Sequence, residues 1–316
     1  MHWLQRLRVW LLVRLGLWRG RWRRAQVHVG GVRFFGGGFD LRTWRYGLYV
    51  PAGLPDDVAA PLIVVLHGCK QRALNFAYAT GWTAFADRAG VRLLCPDQRR
   101  LANLFRCWNW FHPLAQAGKG ELDVVMAMID AVAQSVKVGR VGAVGMSAGG
   151  GLAALLGFLH PERFQAVATV AAPPLLGINL QSPQSVMQRG LAMSPLLALG
   201  ARHDACARLA VIHGTDDDVV NPRCAEQLLA QALESQRRAG ALTQKVEVSA
   251  QDARVAVTDF RTTAGTLVRS VLVRGLAHVW TGGPGGHPHC EKNGVPLTAL
   301  CVQFLRDAGL FGAKSS

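Results

Sequence analysis

Short apolar runs alternate with helix-length segments through most of the chain. Predicted strands are the six runs bounded by Gly, Pro or polar residues: 46–50, 62–66, 91–95, 141–145, 166–171 and 209–213. Predicted helices are the four longer segments 76–89, 121–136, 148–159 and 224–239. The strand runs are continuously apolar, which is typical of strands buried on both faces of a parallel sheet. The pattern therefore predicts an open, mostly parallel α/β sheet flanked by helices.

The first 24 residues follow a different pattern, with arginines set among leucines and tryptophans. Six apolar residues fall three or four apart and share one side of a helix: Leu4, Leu7, Leu11, Leu15, Trp18 and Trp22. A basic helix of this kind can lie on an anionic membrane or another apolar surface. An arm packed on its own domain, or a disordered arm, is the alternative. Because residues 30–40 are rich in glycine, we expect an arm and joint over 1–40 and one main domain over 41–316.

Composition narrows the class of protein. In 316 residues, 50% hydrophobic content with only 17% charged residues excludes a disordered chain, and seven cysteines are too few for a disulfide-built miniprotein. The net charge of +15 suggests nucleic acid as a class of partner. Much of this charge lies at the start of the chain, however, because the first fifty residues hold ten arginines and one acidic residue. The rest of the chain is only modestly basic and has no sequence motif of a known nucleic-acid-binding domain. We therefore expect no specific nucleic-acid binding.

Arg14 interrupts the apolar run between Val9 and Trp18, and no small-x-small cleavage site follows it. This pattern does not predict a secretory signal, and the run is too short and too charged to span a bilayer. The compartment stays unknown, and a cytoplasmic or surface-associated protein is expected rather than a classically secreted one.

Sheets of this kind bind ligands at the carboxyl ends of their strands. The run 141–145 leads into Gly145-Met146-Ser147-Ala148-Gly149 and then a helix-forming segment. Strand, Gly-x-Ser-x-Gly and helix form the context of a nucleophile elbow, where glycines relieve crowding at a sharp turn. The motif predicts Ser147 as a nucleophile, with a purely structural turn as the alternative.

A nucleophilic serine needs a base and an orienting carboxylate, and in this fold the chain order is Ser, acid, His. Asp216, Asp217 and Asp218 follow the run 209–213, and we expect at least one of them to point into the site. His278 follows an apolar run at 271–273 and is the predicted base. We expect His67 and His213 to pack in loops instead.

A reaction at such a serine places a negative charge on the substrate oxygen, the oxyanion. Folds with a nucleophile elbow stabilise it with two backbone N–H groups, one from the residue after the nucleophile and one from a loop after an early strand. Ala148 follows Ser147, and Cys69 lies in the loop after the run 62–66. Their N–H groups are the predicted donors. His287, His289 and Cys290 form a short cluster that we interpret as a loop rather than a zinc site, because a complete site needs three or four suitably placed ligands. No metal or organic cofactor is expected.

Five segments add a more specific signal: LHGCKQ (66–71), RCWNWF (106–111), GMSAGG (145–150), HGTDDDVVNP (213–222) and AHVWTGG (277–283). Together they resemble the poly(3-hydroxybutyrate) depolymerase family of α/β-hydrolase esterases, which is related to feruloyl and acetylxylan esterases. The resemblance extends from about residue 46 to residue 304. It implies Ser147 as nucleophile, His278 as base and Asp217, four residues after His213, as acid, with Cys69 as an oxyanion donor.

The resemblance also bears on the residues around the site. It implies that Trp108 and Trp110 lie near the substrate. Trp280 is expected to form a site wall, although one or more of the three rings would fill the core in the alternative reading. Cys69 and Cys107 lie in two family motifs and are expected to form a disulfide. Residues 172–207 are long for a connection and are expected to form a cap or wall over the site.

The implied activity is that of a serine esterase, working through an acyl-enzyme on short-chain hydroxyalkanoate esters, oligomers or polyester. A feruloyl or acetylxylan-type carboxylesterase is the first alternative. A protein that binds a surface or granule through its basic arm is the second. The expected partner is an ester substrate, with a peripheral membrane or granule contact through residues 1–24.

Overall fold

The computed structural model describes residues 19–29, 43–177, 181–199, 205–241 and 243–311. Over these residues the main sheet has ten strands, in the order β1-β2-β4-β3-β5-β6-β7-β10-β9-β8. The strands are β1 (Arg21–His28), β2 (Thr43–Val50), β3 (Ala60–Leu66), β4 (Arg92–Asp97), β5 (Val138–Met146), β6 (Ala166–Val170), β7 (Arg208–Gly214), β8 (Gln244–Val248), β9 (Val255–Thr262) and β10 (Gly265–Val273). The six strands from β4 to β10 in this order are parallel, and antiparallel strands flank them on both sides.

Helices cover both faces of the sheet. They are α1 (Ala73–Ala79), α2 (Trp82–Ala89), α3 (Pro113–Gln116), α4 (Glu121–Ser135), α5 (Ala148–Leu159), α6 (Pro183–Arg189), α7 (Pro195–Leu199), α8 (Arg223–Arg238) and α9 (Leu297–Asp307). One apolar cluster packs the sheet against α4, α5 and α8, and a second packs it against α1, α2 and α9. Val64 of β3 belongs to the first cluster and Ile63 and Val65 to the second. This two-sided burial explains the continuous apolar runs and confirms the predicted mostly parallel α/β sheet flanked by helices.

The predicted strands and helices of the central region are present, with one difference. The segment 76–89 forms two helices, α1 and α2, instead of one. The Thr80 hydroxyl donates to the Phe76 carbonyl at 2.6 Å, and Gly81 follows in the left-handed region at φ 82°. A residue in that conformation ends the helix, and only glycine adopts it without strain.

Strand β1 was not expected from the sequence. Arg21–His28 pairs antiparallel with β2, and the Trp22 ring lies 5.0 Å from the Tyr49 ring. The predicted helix is therefore wrong at its last residues, Arg21 and Trp22. The expected boundary at residue 40 is wrong as well, because Arg21–His28 belongs to the main sheet. Residues 1–18, and the predicted joint over 30–40, lie outside the described residues.

Strands β8 and β9, and most of β10, were also missed. Exposed and buried residues alternate at the start of β9, as at the margin of a sheet, so no continuous apolar run marks it. A short second sheet pairs β11 (Trp280–Thr281) in parallel with β12 (Cys290–Glu291). None of the described helices is long and apolar enough to cross a membrane.

The described parts of the predicted cap, residues 172–177, 181–199 and 205–207, pack against α8. Gln227 Oε1 accepts from the Leu191 N–H at 2.7 Å, and Gln231 Oε1 accepts from the Leu175 N–H at 2.9 Å. These two buried glutamines hold the segment on the helix that follows the Asp216–Asp218 loop. That the segment covers the site stays a prediction.

Candidate active site

Ser147 lies in the sharp turn between β5 and α5, with φ 56° and ψ −125°. A non-glycine residue rarely adopts a positive φ, and such strain is characteristic of functional turns. A β-carbon on Gly145 would come within 2.1 Å of the Gly149 carbonyl oxygen. One on Gly149 would come within 2.4 Å of the Leu66 and His67 carbonyl oxygens. The two glycines of the motif are therefore required by close backbone contacts.

His278 and Asp217 are hydrogen-bonded to each other. The His278 Nδ1 atom lies 2.9 Å from Oδ2 and 3.0 Å from Oδ1 of Asp217. The Asp217 Oδ1 atom also accepts the N–H groups of Val219 at 3.0 Å and Val220 at 2.8 Å. Burial acts to raise the pKa of Asp217, but hydrogen bonding and attraction to His278, with the backbone donor, outweigh it and lower that pKa. An ionised Asp217 thus holds Nδ1 and leaves Nε2 for other chemistry.

The neighbouring aspartates do not join this pair. Asp216 and Asp218 are exposed, and Asp216 Oδ1 accepts from the Thr215 hydroxyl at 2.7 Å. His213, four residues before Asp217, donates from Nε2 to the Val220 carbonyl at 2.7 Å. Burial lowers the pKa of His213, so the neutral ring supports the loop from behind Asp217. The expected loop-packing position of His213 is confirmed.

The loop after β3 reaches Ser147 from the other side. A β-carbon built on Gly68 would lie 3.5 Å from the Cβ atom of Ser147. Gln71 braces this loop, because its Oε1 accepts the Gly68 N–H at 2.7 Å and its Nε2 donates to the Pro288 carbonyl at 2.6 Å. Cys69 therefore lies one residue from a backbone position that borders Ser147.

Ala148 supplies the first N–H of α5, a group that has no partner within its own helix. The predicted oxyanion donors, Cys69 and Ala148, thus lie on two segments that meet at Ser147.

His67 is buried at the end of β3 and holds the same loop. Its Nδ1 donates to the Gly68 carbonyl at 2.7 Å, and its Nε2 accepts the Gln98 N–H at 3.1 Å. Burial lowers the pKa of His67, which keeps the ring neutral. The expectation that it packs in the loop is confirmed.

A disulfide joins Cys69 to Cys107, as the family resemblance implied. It links the loop after β3 to the segment 106–111. The backbone reinforces the link, because the Lys70 N–H donates to the Phe105 carbonyl at 2.6 Å. Movement of either segment therefore displaces the other.

Glu121 was not singled out from the sequence, yet it organises this region. Its Oε2 accepts the Asn109 backbone N–H at 2.7 Å, and its Oε1 accepts Asn109 Nδ2 at 2.8 Å and Gln98 Nε2 at 2.5 Å. Burial raises the pKa of Glu121 to about 7, although these donors act against the shift. No local signal distinguishes it from an ordinary first-turn acid of a helix.

The three tryptophans expected at the substrate are core residues. Trp108 and Trp280 are 0% exposed and Trp110 is 2% exposed, so none presents a free face to a ligand in this conformation. The Trp280 ring packs against Phe76 at 5.4 Å, and its Nε1 donates to the Thr298 hydroxyl at 3.0 Å. The expectation of substrate-facing rings is therefore corrected in favour of core packing.

The loop with His287, His289 and Cys290 lies close to the His278 side of the site. His289 Nδ1 is 3.2 Å from the His278 carbonyl oxygen, and Cys290 Sγ lies 3.6 Å from Gln71 Nε2. Within the described ranges, no three His, Cys, Asp or Glu side chains are grouped to hold a metal ion.

Known esterases resemble this chain in sequence and in fold. The family described as "Esterase PHB depolymerase" matches residues 44–256. Poly(3-hydroxyalkanoate) depolymerase C of Paucimonas lemoignei is 30% identical over 185 residues, which are 55% of this chain and 44% of that protein. Feruloyl esterase B of Neurospora crassa is 30% identical over 204 residues, which are 59% of this chain and 68% of that protein. The chain thus spans less than half of the depolymerase and about two thirds of the feruloyl esterase.

Among solved structures, an acetyl xylan esterase from Aspergillus awamori superposes with a TM-score of 0.65 at 14% identity. The match covers 81% of this chain and 94% of that chain. A ferulic acid esterase from Anaeromyces mucronatus superposes with a TM-score of 0.52 at 12% identity, over 84% of this chain and 87% of that chain. At these identities the likeness shows the shared fold. The match over residues 44–256 identifies the chain as a member of the esterase PHB depolymerase family.

Proposed function

We propose that the protein is a serine esterase with Ser147 as nucleophile, His278 as base and Asp217 as the orienting acid. The observation that carries the proposal is that one domain combines a strained turn at Ser147 with a buried His278–Asp217 pair. In this pair His278 Nδ1 lies 2.9 Å from Asp217 Oδ2. Serine, acid and histidine follow one another in the chain order of the α/β-hydrolases. The geometry supports acyl transfer because each residue type suits its step.

In the first step, His278 Nε2 takes the proton from the Ser147 hydroxyl as its oxygen attacks the ester carbonyl. The tetrahedral intermediate collapses, the C–O bond to the alcohol breaks, and His278 returns the proton to the departing alcohol. Water then attacks the acyl-enzyme with the same proton relay and releases the carboxylic acid. Asp217 stays ionised and stabilises the imidazolium that forms in each step.

The backbone N–H groups of Cys69 and Ala148 are proposed to donate to the oxyanion. Loss of one such donor typically costs on the order of 10²–10³ in kcat. The disulfide to Cys107 and the Gln71 brace support this role, because they hold the Cys69 backbone from both sides of the loop.

For the acyl group, we propose short-chain hydroxyalkanoate esters, oligomers or polyester. The family match and the similarity to a poly(3-hydroxyalkanoate) depolymerase support this class. A feruloyl or acetylated-sugar ester is the second candidate, because the feruloyl esterase of Neurospora crassa is matched over a larger share of its length, 68%.

The test is a substrate panel with wild type and Ser147→Ala. It contains p-nitrophenyl acetate, butyrate and octanoate, hydroxybutyrate oligomers, amorphous poly(3-hydroxybutyrate), methyl ferulate and acetylated xylan. We expect wild-type turnover of the short esters and hydroxybutyrate oligomers, and none by the variant. Activity confined to methyl ferulate or acetylxylan would move the assignment to the second candidate. A folded wild type that is inactive on all of them and is not labelled by a fluorophosphonate would contradict the serine-esterase proposal.

The arm is proposed to dock the enzyme on an anionic surface through its first residues. Because Arg21–His28 is a strand of the main sheet, the test removes residues 1–18 only. Deletion should weaken sedimentation with vesicles that contain anionic lipid and should spare turnover of p-nitrophenyl butyrate. Unchanged sedimentation would reject the docking role, and the second alternative of a surface-binding protein with it.

A further inference from the structure

A groove of about 560 Å³ opens between β1, β2 and the start of α1. Its polar lining consists mainly of three arginines, two amides and one acid: Arg24, Arg45, Arg72, Gln26, Asn75 and Asp97. Neither Ser147 nor His278 lines it. The groove is thus a separate feature that needs its own explanation.

The groove lies at the same edge of the sheet as Ser147. In the strand register Gln26 lies opposite Arg45, and Arg45 lies opposite Asp97, the last residue of β4. β4 is separated from β5, which ends before Ser147, only by β3. Arg45 of β2 and Arg24 of β1 lie one and two strands further out, so three to four strand spacings, about 14–19 Å, separate them from β5. Arg72, which lines the groove, lies three residues after Cys69 of the proposed oxyanion loop.

The groove carries unpaired positive charge. Both carboxylate oxygens of Asp97 are already used, because Oδ2 accepts from Arg72 Nη1 at 3.2 Å and Oδ1 accepts the Ala73 N–H at 3.1 Å. Among the described residues, neither Arg24 nor Arg45 has an ion-pair partner. Arg24 and Arg45 therefore line the groove without an ion-pair partner among the described residues, and guanidinium matches a carboxylate in shape and charge.

We propose that this groove binds the free carboxylate end of an ester oligomer while an ester bond several units along the same oligomer lies at Ser147. The inference rests on the proposed esterase function and deepens it. The separation of about 14–19 Å suits an oligomer of several units whose acid end occupies the groove. Hydroxyalkanoate oligomers have such an end, and every cleavage creates a new one. The enzyme would then favour acid-terminated chains over chains with a neutral end.

The test compares two forms of the 3-hydroxybutyrate pentamer, the free acid and its primary amide, by the ratio of their kcat/KM values. For wild type at low salt we expect about a fivefold preference for the acid. A preference of this size is what partly exposed ion pairs of Arg24 and Arg45 with the acid end would give. The preference should fall towards one in 0.5 M NaCl, because salt screens exposed charges. In the double variant Arg24→Gln/Arg45→Gln the ratio should fall below about twofold.

Arg21→Gln is the matched control. Arg21 is an exposed arginine of the same strand that does not line the groove, so this variant removes one charge and should keep the wild-type ratio. Thermal melts of all variants verify folding. A wild type without preference, or a double variant that retains it, would overturn the groove proposal and leave the esterase standing. A folded wild type that cleaves neither form of the pentamer nor p-nitrophenyl butyrate would overturn both.

Discussion

The Nδ1 atom of His278 lies within 3.0 Å of both carboxylate oxygens of Asp217, although 61 positions separate the two residues in the chain. Two loops make this contact. The Asp217 loop follows β7 and the His278 loop follows β10, and these strands are parallel neighbours in the sheet. Adjacent strands that end at the same edge thus bring the acid to the base.

Asp217→Asn should lower kcat by about 10⁴, because an amide does not hold the imidazole in the required tautomer or stabilise its charge. Asp216→Asn and Asp218→Asn are matched controls on the same loop and should change kcat by less than about twofold. Steady-state kinetics on p-nitrophenyl butyrate measures all three. A large loss in Asp218→Asn with an active Asp217→Asn would show that another residue is the acid.

Loss of the Cys69–Cys107 disulfide should lower both the free energy of unfolding and kcat. The disulfide closes a loop across 38 positions, so Cys107→Ser should lower the free energy of unfolding by about 2–4 kcal/mol. Urea unfolding measures this change, and kcat should fall as well because Cys69 loses its fixed position. A phosphine reductant should reproduce both effects in wild type and leave Cys107→Ser unchanged. Equal sensitivity of the variant to the reductant would contradict the assignment.

Glu121 should make stability depend on pH in a defined direction. Burial raises its pKa from 4.5 to about 7, so the folded state holds its proton where the unfolded state has lost it. The free energy of unfolding contributed by this group therefore decreases as pH rises from about 4.5 to about 7. Urea unfolding of wild type and Glu121→Gln at pH 5, 6, 7 and 8 tests this.

The wild-type minus Glu121→Gln difference should fall by on the order of 1–3 kcal/mol across the series. The subtraction matters because His67 and His213 act in the opposite direction. Their pKa values are lowered by burial, so their contribution is present above about 6.5 and is lost as pH falls. A difference that stays flat, or rises with pH, would show that Glu121 is not protonated in the fold at neutral pH.

Gly149→Ala should destabilise the protein and reduce kcat, because the added carbon meets two backbone carbonyl oxygens at 2.4 Å. Overpacking of this kind costs about 1–3 kcal/mol. Gly157→Ala, in the same helix, is the control. Its added carbon meets side-chain atoms, a Val167 methyl group at 3.0 Å and the β-carbons of Val167 and Ala207 at 3.5 and 3.7 Å, and alanine improves helix propensity. Thermal melting compares them, and equal melting temperatures would contradict the close approach at Gly149.

Where a structural feature depends on neighbours in sequence, it was predictable. The turn at Ser147 follows from Gly145 and Gly149, and α5 was predicted with the bounds that the structure gives it. Continuous apolar runs predicted the parallel strands because helices on both faces bury them. The helix predicted up to Trp22 was wrong because it rested on spacing alone. Three- and four-residue intervals fit a helix, but pairing with β2 and packing of Trp22 on Tyr49 make this segment a strand.

The sequence by itself determined the parallel α/β core, the strained turn at Ser147, and the set of candidate acids and bases. Residue spacing left three adjacent aspartates open, the family resemblance implied Asp217, and the folded loops bring Asp217 to His278. Only the tertiary structure decided that Trp108, Trp110 and Trp280 fill the core, and that Glu121 is buried beneath Asn109. Those outcomes depend on contacts between residues far apart in the chain. Residue spacing fixes local backbone geometry, whereas burial and ion pairing depend on which strands and loops become neighbours in the folded sheet.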